Sequence, residues 1–239
     1  MRKRLSVLSV PIDVITMKET IQRVQELMNE PGLHHVVTAN AEMVMLAKGN
    51  PILYSILEDA SIVTPDGAGV LWAAEQNNEH LPERVTGIDV TRELFSIASK
   101  QNIPVYCLGA APGVAKRAVE NLEREVGPLQ IVGIHDGFFN TDEEQSIIGD
   151  MAKAKLIFVA LGVPKQEIWI KEHLSHLSGV VAVGIGGSFD VIAGNIPRAP
   201  EWMQNNRLEW LYRLYLEPKR IGRMMAIPKF MFTVLKNKR

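Results

Sequence analysis

Residues 61–69 read SIVTPDGAG, and the reading of this stretch decides the fold. Ile62 and Val63 end a short apolar run of strand type, residues 64–67 break it, and a helical apolar pattern starts at Ala68. Strand, polar turn and helix in that order form the βα unit of an open α/β sheet, where ligands bind outside the carboxyl ends of the strands. Asp66 stands at such an end. Pro-Asp-Gly is also ordinary turn chemistry, with Asp bonding its own backbone and glycine supplying positive φ. Taken alone, the stretch leaves Asp66 as either a turn residue or a functional carboxylate.

The flanking chain repeats the pattern. Apolar runs of strand length at residues 5–8, 35–38, 61–64, 105–108, 130–134, 156–161 and 180–184 alternate with amphipathic segments at 16–28, 90–100, 114–126 and 143–152. In the first of these segments Ile21, Val24, Leu27 and Met28 fall at helical spacing and mark a core-facing stripe. Strands separated by helices of this length need right-handed crossovers and give a mostly parallel sheet covered on both faces. The nearly continuous apolar runs IFVALG and VVAVGIGG suit its central strands. The expected fold is α/β: a Rossmann-like, mostly parallel sheet with helices on both faces over residues 1–197. A C-terminal helical, membrane-facing appendage is expected over 198–239.

Composition narrows the classes. With 239 residues, 46% hydrophobic and 22% charged, the chain has the makeup of an ordinary globular protein and enough length for one large α/β domain with an appendage. Its single cysteine, Cys107, rules out an internal disulfide framework and agrees with a reducing cytosol. The N-terminus has basic residues before an apolar stretch, yet Pro11 and Asp13 interrupt it, so a first strand is expected there rather than a signal peptide. No run approaches the roughly 20 apolar residues of a spanning helix. The net charge of −1 hides an asymmetry, because residues 198–239 hold ten Lys/Arg and three Asp/Glu, leaving 16 basic and 24 acidic residues before them. A tail at +7 on a body at −8 points to an anionic partner at the C-terminal end.

The strand ends carry polar or glycine residues: Thr38-Ala39-Asn40, Asp66, the GAAPG turn at 109–113, His135-Asp136-Gly137, the GVPKQE run at 162–167, and residues 184–190. Asn40 also suits a helix cap. Gly109 and Gly113 make half of a dinucleotide fingerprint, with the third glycine missing; backbone packing is the commoner use of such a turn. Lys165, Gln166 and Glu167 crowd long polar side chains where the sixth run meets the crevice. The glycines of GIGGSFDVIAG serve either helix packing or close approach to a ligand. His173 and His176 lack the partners of a metal site, and no Asp-x-Asp pair occurs, so a departing anion has to be met by Arg, Lys or helix dipoles. In the tail, two tryptophans and two tyrosines precede Pro218, and a second segment mixes Met224, Met225, Phe230, Met231 and Phe232 with Lys and Arg. That mixture describes an element lying on an anionic leaflet. Arg220 and Arg223 share one helical face and could clamp a diphosphate.

The ordered set TAN, TPDGAG, ERVTGID, LGVPKQEIW, GIGGSFDVIAG, RAPEW and LEWLYRLYLEPKRIGR, spread over residues 36–223, resembles the WecG/TagA/CpsF glycosyltransferase family, most closely its TagA branch. The resemblance implies an inverting, metal-independent transfer of N-acetylmannosamine from UDP-ManNAc to undecaprenyl-diphosphate-linked GlcNAc, in wall teichoic acid linkage-unit synthesis. It implies Asp66 as general base. It places Thr38, Asn40 and Gln166 in the sugar pocket with Arg84 nearby, and Arg213, Arg220 and Arg223 on the UDP diphosphate. It further implies no cofactor, no nucleic-acid partner, and a cytoplasmic protein held peripherally on the inner face of the membrane by its tail. Donor identity within the family, with UDP-ManNAc-uronate or UDP-glucose as alternatives, stays open, as does a homo-oligomeric state. Two readings outside the family compete: an NAD-linked oxidoreductase built on the Gly109 turn, and a nucleic-acid or lipid-binding module built on the basic tail.

Overall fold

A computed structural model of the chain describes residues 3–206, 208–216, 218 and 221–237. The chain opens with β1 (Arg4–Val7), β2 (Val10–Asp13) and α1 (Met17–Leu27), followed by β3 (Leu33–Ala39), α2 (Ala41–Gly49) and α3 (Pro51–Asp59). Next come β4 (Ile62–Pro65), α4 (Ala68–Gln76), α5 (Gly87–Gln101), β5 (Val105–Gly109), α6 (Val114–Val126), β6 (Ile131–His135) and α7 (Thr141–Met151). The remainder is β7 (Leu156–Ala160), α8 (Lys165–Leu174), β8 (Val180–Gly184), α9 (Ser188–Ile192), α10 (Glu201–Asn205), α11 (Glu209–Leu216), α12 (Ile221–Met224) and α13 (Ala226–Lys236).

Six strands form one sheet in the order β4-β3-β8-β7-β5-β6, and every pairing in it is parallel. All six carboxyl ends therefore share one edge. Side chains alternate across it as a pleated strand requires. Val36, Ile62, Cys107, Phe158 and Val183 pack under α1, α5, α6 and α9. Val37 and Val63 face α2, α3, α4 and α13, and Leu108, Val159 and Ala182 face α7 and α8. The expected stripe of α1 is buried, and Thr16 starts that helix through a capping box with Glu19. α6 and α8 cover opposite faces, so the chain leaves the neighbouring strands β5 and β7 in opposite directions, while the strands themselves stay paired up to Gly109 and Ala160. Cys107 lies in the core, where burial pushes its thiol far above the usual range.

The N-terminus departs from expectation. The run at 5–8 stays outside the parallel sheet: β1 pairs with β2 in an antiparallel hairpin, turned by Leu8 and Ser9 at φ 49° and 76°. Pro11 and Asp13, which break the sequence pattern, both lie in β2, where a peripheral strand tolerates a missing donor. Asp13 is fully buried and its Oδ2 accepts the Val63 N–H at 2.6 Å, while Oδ1 accepts from Arg4 Nε at 3.0 Å. Burial pushes the Asp13 carboxyl above its ordinary value, against the lowering effect of Val63 and Arg4. The hairpin thus covers the exposed edge of β4.

The tail returns to the body. Phe230 and Val234, one helical turn apart on α13, are buried among residues of α2 and α4. The opposite side of α13 exposes Met231, Phe232 and Leu235 beside Lys229 and Lys236. Among the described residues no helix is long and apolar enough to cross a membrane.

Candidate active site

Four adjacent strand ends build the candidate site. Thr38 and Ala39 end β3 with Asn40 next, Asp66 follows β4, residues 162–166 follow β7 and residues 185–188 follow β8, in the spatial order β4-β3-β8-β7. Asp66 is anchored at its backbone, where its N–H donates to Ala39 O at 2.9 Å. Its carboxylate Oδ2 accepts the Gly87 N–H at 3.2 Å. Gly67, at φ 86°, turns the chain into α4, so the carboxylate sits before a helix N-terminus, where negative charge is favoured.

The segment bearing Gly87 is laced to β4. Val85 N–H donates to Pro65 O at 3.0 Å, and the Thr64 hydroxyl donates to Val85 O at 3.1 Å. A Cβ at position 87 would lie 3.0 Å from Thr38 Oγ1, so a side chain there would make the Thr38 hydroxyl give way. Thr38 is buried beneath this point and donates its hydroxyl to Gly184 O at 3.3 Å. The structure therefore brings Thr38, Asp66 and Gly87 together. Asn40 follows directly on β3 and caps α2, its Oδ1 accepting from Met43 N–H at 3.0 Å.

Gln166, expected in the sugar pocket, is almost fully buried. It is 1% exposed, and its Oε1 accepts both the Gly162 N–H at 3.2 Å and the Gly186 N–H at 3.1 Å, which ties the β7 and β8 turns together. Its Nε2 donates to Glu167 Oε1 at 2.7 Å. Glu167 is wholly buried, and its Oε2 lies 2.6 Å from His35 Nε2, a close contact with poor hydrogen-bond alignment. A buried carboxylate needs partners, and this one has an amide and an imidazole. Gly184 makes room for them, since a Cβ there would fall 2.6 Å from both Gln166 Nε2 and Glu167 Oε1. Here glycine serves packing of a strand against polar side chains. At Gly109, with φ 115°, a Cβ would lie 2.4 Å from Ala160 O, so that turn glycine too answers to strand packing.

Arg84 points to the tail. Its Nη1 lies 2.7 Å from Glu209 Oε2 on α11. Arg198 makes a two-pronged bond to Asp89, Nη1 to Oδ1 at 2.8 Å and Nη2 to Oδ2 at 2.9 Å. Burial pushes the Asp89 carboxyl up, yet bonds from Arg198 and Thr86, with the charges of Arg198 and Arg84, hold it below its ordinary value. Arg213 lies on α11 and Arg223 on α12, with side chains outside the described residues, and Arg220 is itself outside them. Among the described residues no group of three or more His, Cys, Asp or Glu could hold a metal ion.

The model of the "Glycosyl transferase WecG/TagA/CpsF family" matches residues 5–239, nearly the whole chain. The chain belongs to the WecG/TagA/CpsF glycosyltransferase family. It is 36% identical over 206 residues to a protein of Bacillus subtilis strain 168, covering 85% of this chain and 80% of the relative. It is 31% identical over 239 residues to one of Staphylococcus aureus strain MRSA252, covering 99% of this chain and 94% of the relative. Both relatives are named N-acetylglucosaminyldiphosphoundecaprenol N-acetyl-beta-D-mannosaminyltransferase. The six-stranded parallel sheet flanked by helices is the α/β fold expected from the sequence pattern. Five residues that were not expected as site members, Glu167 having been noted only for its polar crowding, border the candidate strand-end site: His35, Glu167, Asp89, Arg198 and Glu209. The last four lie inside or beside the quoted motifs, but their pairing, across 109 residues for Arg198 and Asp89, has no signature in the local pattern.

Proposed function

We propose that the protein is an inverting N-acetylmannosaminyltransferase that moves N-acetylmannosamine from UDP-ManNAc to the GlcNAc of an undecaprenyl-diphosphate-linked acceptor, in teichoic acid linkage-unit synthesis. The observation that carries this reading is the Asp66 carboxylate, anchored at the end of β4 by Ala39 and Gly87 in a chain whose relatives bear that activity in their names. Asp66 accepts the proton of an acceptor sugar hydroxyl as its oxygen attacks the anomeric carbon. The bond to the UDP oxygen breaks on the opposite face, and the configuration inverts. A positioned carboxylate of this kind contributes about 10²–10⁴-fold. The reading includes no metal; Arg213, Arg220 and Arg223 offset the charge that develops on the departing diphosphate. The acceptor is lipid-anchored, and the exposed Met231, Phe232 and Leu235 beside Lys229 and Lys236 supply an apolar and basic face for an anionic leaflet. The site of action in this reading is the cytoplasmic face of the membrane.

The test is transfer from a panel of UDP-sugars to a soluble lipid-diphosphate-GlcNAc analogue, with Asp66→Asn beside the parent and with a chelator present and absent. UDP-ManNAc should be the preferred donor, the variant should lose at least about 10²-fold in kcat with UDP affinity kept, and chelation should leave the rate intact. Turnover by Asp66→Asn within a few-fold of the parent would make Asp66 a turn residue after all.

A further inference from the structure

The appendage holds both ends of the loop that supports Asp66. At one end Arg84 is paired with Glu209 at 2.7 Å. At the other, Asp89 is held in the two-pronged bond from Arg198. The two grips are neighbours, with Arg198 Nε 4.0 Å from Glu209 Oε1. Between them Thr86 caps α5 and donates its hydroxyl to Asp89 Oδ2 at 2.6 Å. Next to Thr86 the Gly87 N–H donates to Asp66 Oδ2. All four charged side chains are about one-third exposed or less, and planar guanidinium–carboxylate forks are directional as well as attractive. A shift of residues 84–89 moves the Gly87 N–H, and with it the carboxylate it holds.

We propose that Arg198 and Glu209 are positioning residues, which fix the 84–89 loop through Asp89 and Arg84 and so orient the Asp66 carboxylate without touching substrate. The proposal rests on Asp66 acting as the base. It makes the docked appendage part of the catalytic geometry, beyond any arginine it supplies. A misplacement on the order of 1 Å at a reacting group costs up to about 10²-fold in rate, and loss of one grip of two should cost less.

Arg198→Lys keeps the charge and removes the fork; Asp89→Asn removes it from the other side. In the full-length protein each should lower kcat about 5- to 20-fold, with donor KM and UDP affinity within about twofold. The double variant should fall no further than the weaker single, since both changes break one interaction. Glu209→Gln, a half-buried tail residue, should lower kcat about 2- to 5-fold and serves if the Asp89 variant fails to fold. Amide exchange across residues 84–89 should quicken in all three, while exchange in α13 stays as in the parent. Overturning results are kcat within twofold of the parent in Arg198→Lys and Glu209→Gln, independent effects that multiply in the double variant, a rise in donor KM that makes Arg198 a substrate ligand, or loosening of α13 together with the loop. Asp66→Asn, measured alongside, separates the two ideas: if it alone is silent, the reading of the base fails; if it alone is damaging, the positioning role fails.

Discussion

Gly184→Ala adds one methyl group at the junction beneath the site, and the structure sets its cost. The new Cβ would lie 2.6 Å from Gln166 Nε2, 2.6 Å from Glu167 Oε1 and 3.1 Å from Glu167 Oε2. Non-bonded contacts settle at about 3.5–4.0 Å, so those atoms must retreat by roughly 1 Å. They have nowhere to go, because Gln166 and Glu167 are 1% and 0% exposed. Overpacking of this type costs about 1–3 kcal/mol. If Gln166 swings aside, its Oε1 leaves the Gly162 and Gly186 N–H groups, and a buried donor without a partner costs a further ~1–3 kcal/mol. The expected total is about 2–6 kcal/mol, read as a lower urea midpoint at unchanged slope. Because those two N–H groups anchor the β7 and β8 turns, kcat should fall with stability. Gly149→Ala is the control: it lies in α7 with no atom within 4 Å of the added Cβ and should stabilise by about 0.5–1 kcal/mol. A Gly184→Ala protein within about 0.5 kcal/mol of the parent would refute the account of the buried Gln166–Glu167 pair.

Three further outcomes are expected. Phe230→Ala removes a wholly buried ring from the contact of α13 with α2 and α4, which should cost about 3–5 kcal/mol of docking and appear as faster proteolysis within the tail. Glu167→Ala strips His35 and Gln166 of their carboxylate partner and should lower the urea midpoint by the equivalent of ~2–5 kcal/mol, whereas Glu167→Gln, which keeps an acceptor for Gln166, should cost less. The Asp89 carboxyl is held below its ordinary value, so its contribution to stability is complete above the unfolded-state pKa of about 3.9 and is lost as pH falls through the folded-state value. Acid titration of unfolding should accordingly show a shallower loss below that pH in Asp89→Asn than in the parent.

The sheet was legible because its strands are apolar on both faces and its helices striped, so period and length agree in each βα unit: β3, β4, β5, β6, β7 and β8 all fall within or beside the expected runs. The hairpin was not, because Pro11 and Asp13 break the local pattern of β2, and what keeps β2 in place is a bond from Val63, fifty residues away. The place of Asp66 at a strand end could be read from the strand-turn-helix pattern. The buried support around it could not, since His35, Gln166 and Glu167 look like any polar strand-end residues until β3, β7 and β8 are set side by side. Gln166, expected in the sugar pocket, fastens two turns together, a bond that no spacing rule reveals. The helical character of the tail followed from its apolar density. Its return onto α2 and α4 through Phe230 depends on a complementary surface more than 150 positions earlier, at Ala41 and Gly69.

Asp66 belongs to a position that ordinarily makes a poor platform for a base. β4 is an edge strand of four residues, paired only with β3 in its sheet, and edge backbone is free to fray or to recruit a foreign strand. A general base has to be held within a fraction of an ångström of its productive position. The outer side of β4 is accordingly engaged at Val63 and Pro65. The Val63 N–H goes to Asp13 on the hairpin, Pro65 has no N–H to satisfy, and Pro65 O accepts from Val85 in the loop that the appendage grips. Below the following helix, Gly69 lets Ala41 and the Phe230 ring come close, so the start of α4 is pinned from the tail as well. Three segments remote in sequence thus converge on one short strand. Their common effect is to fasten the backbone that carries Asp66, so under the proposed role of that residue as base its placement depends on the hairpin, the 84–89 loop and α13 together.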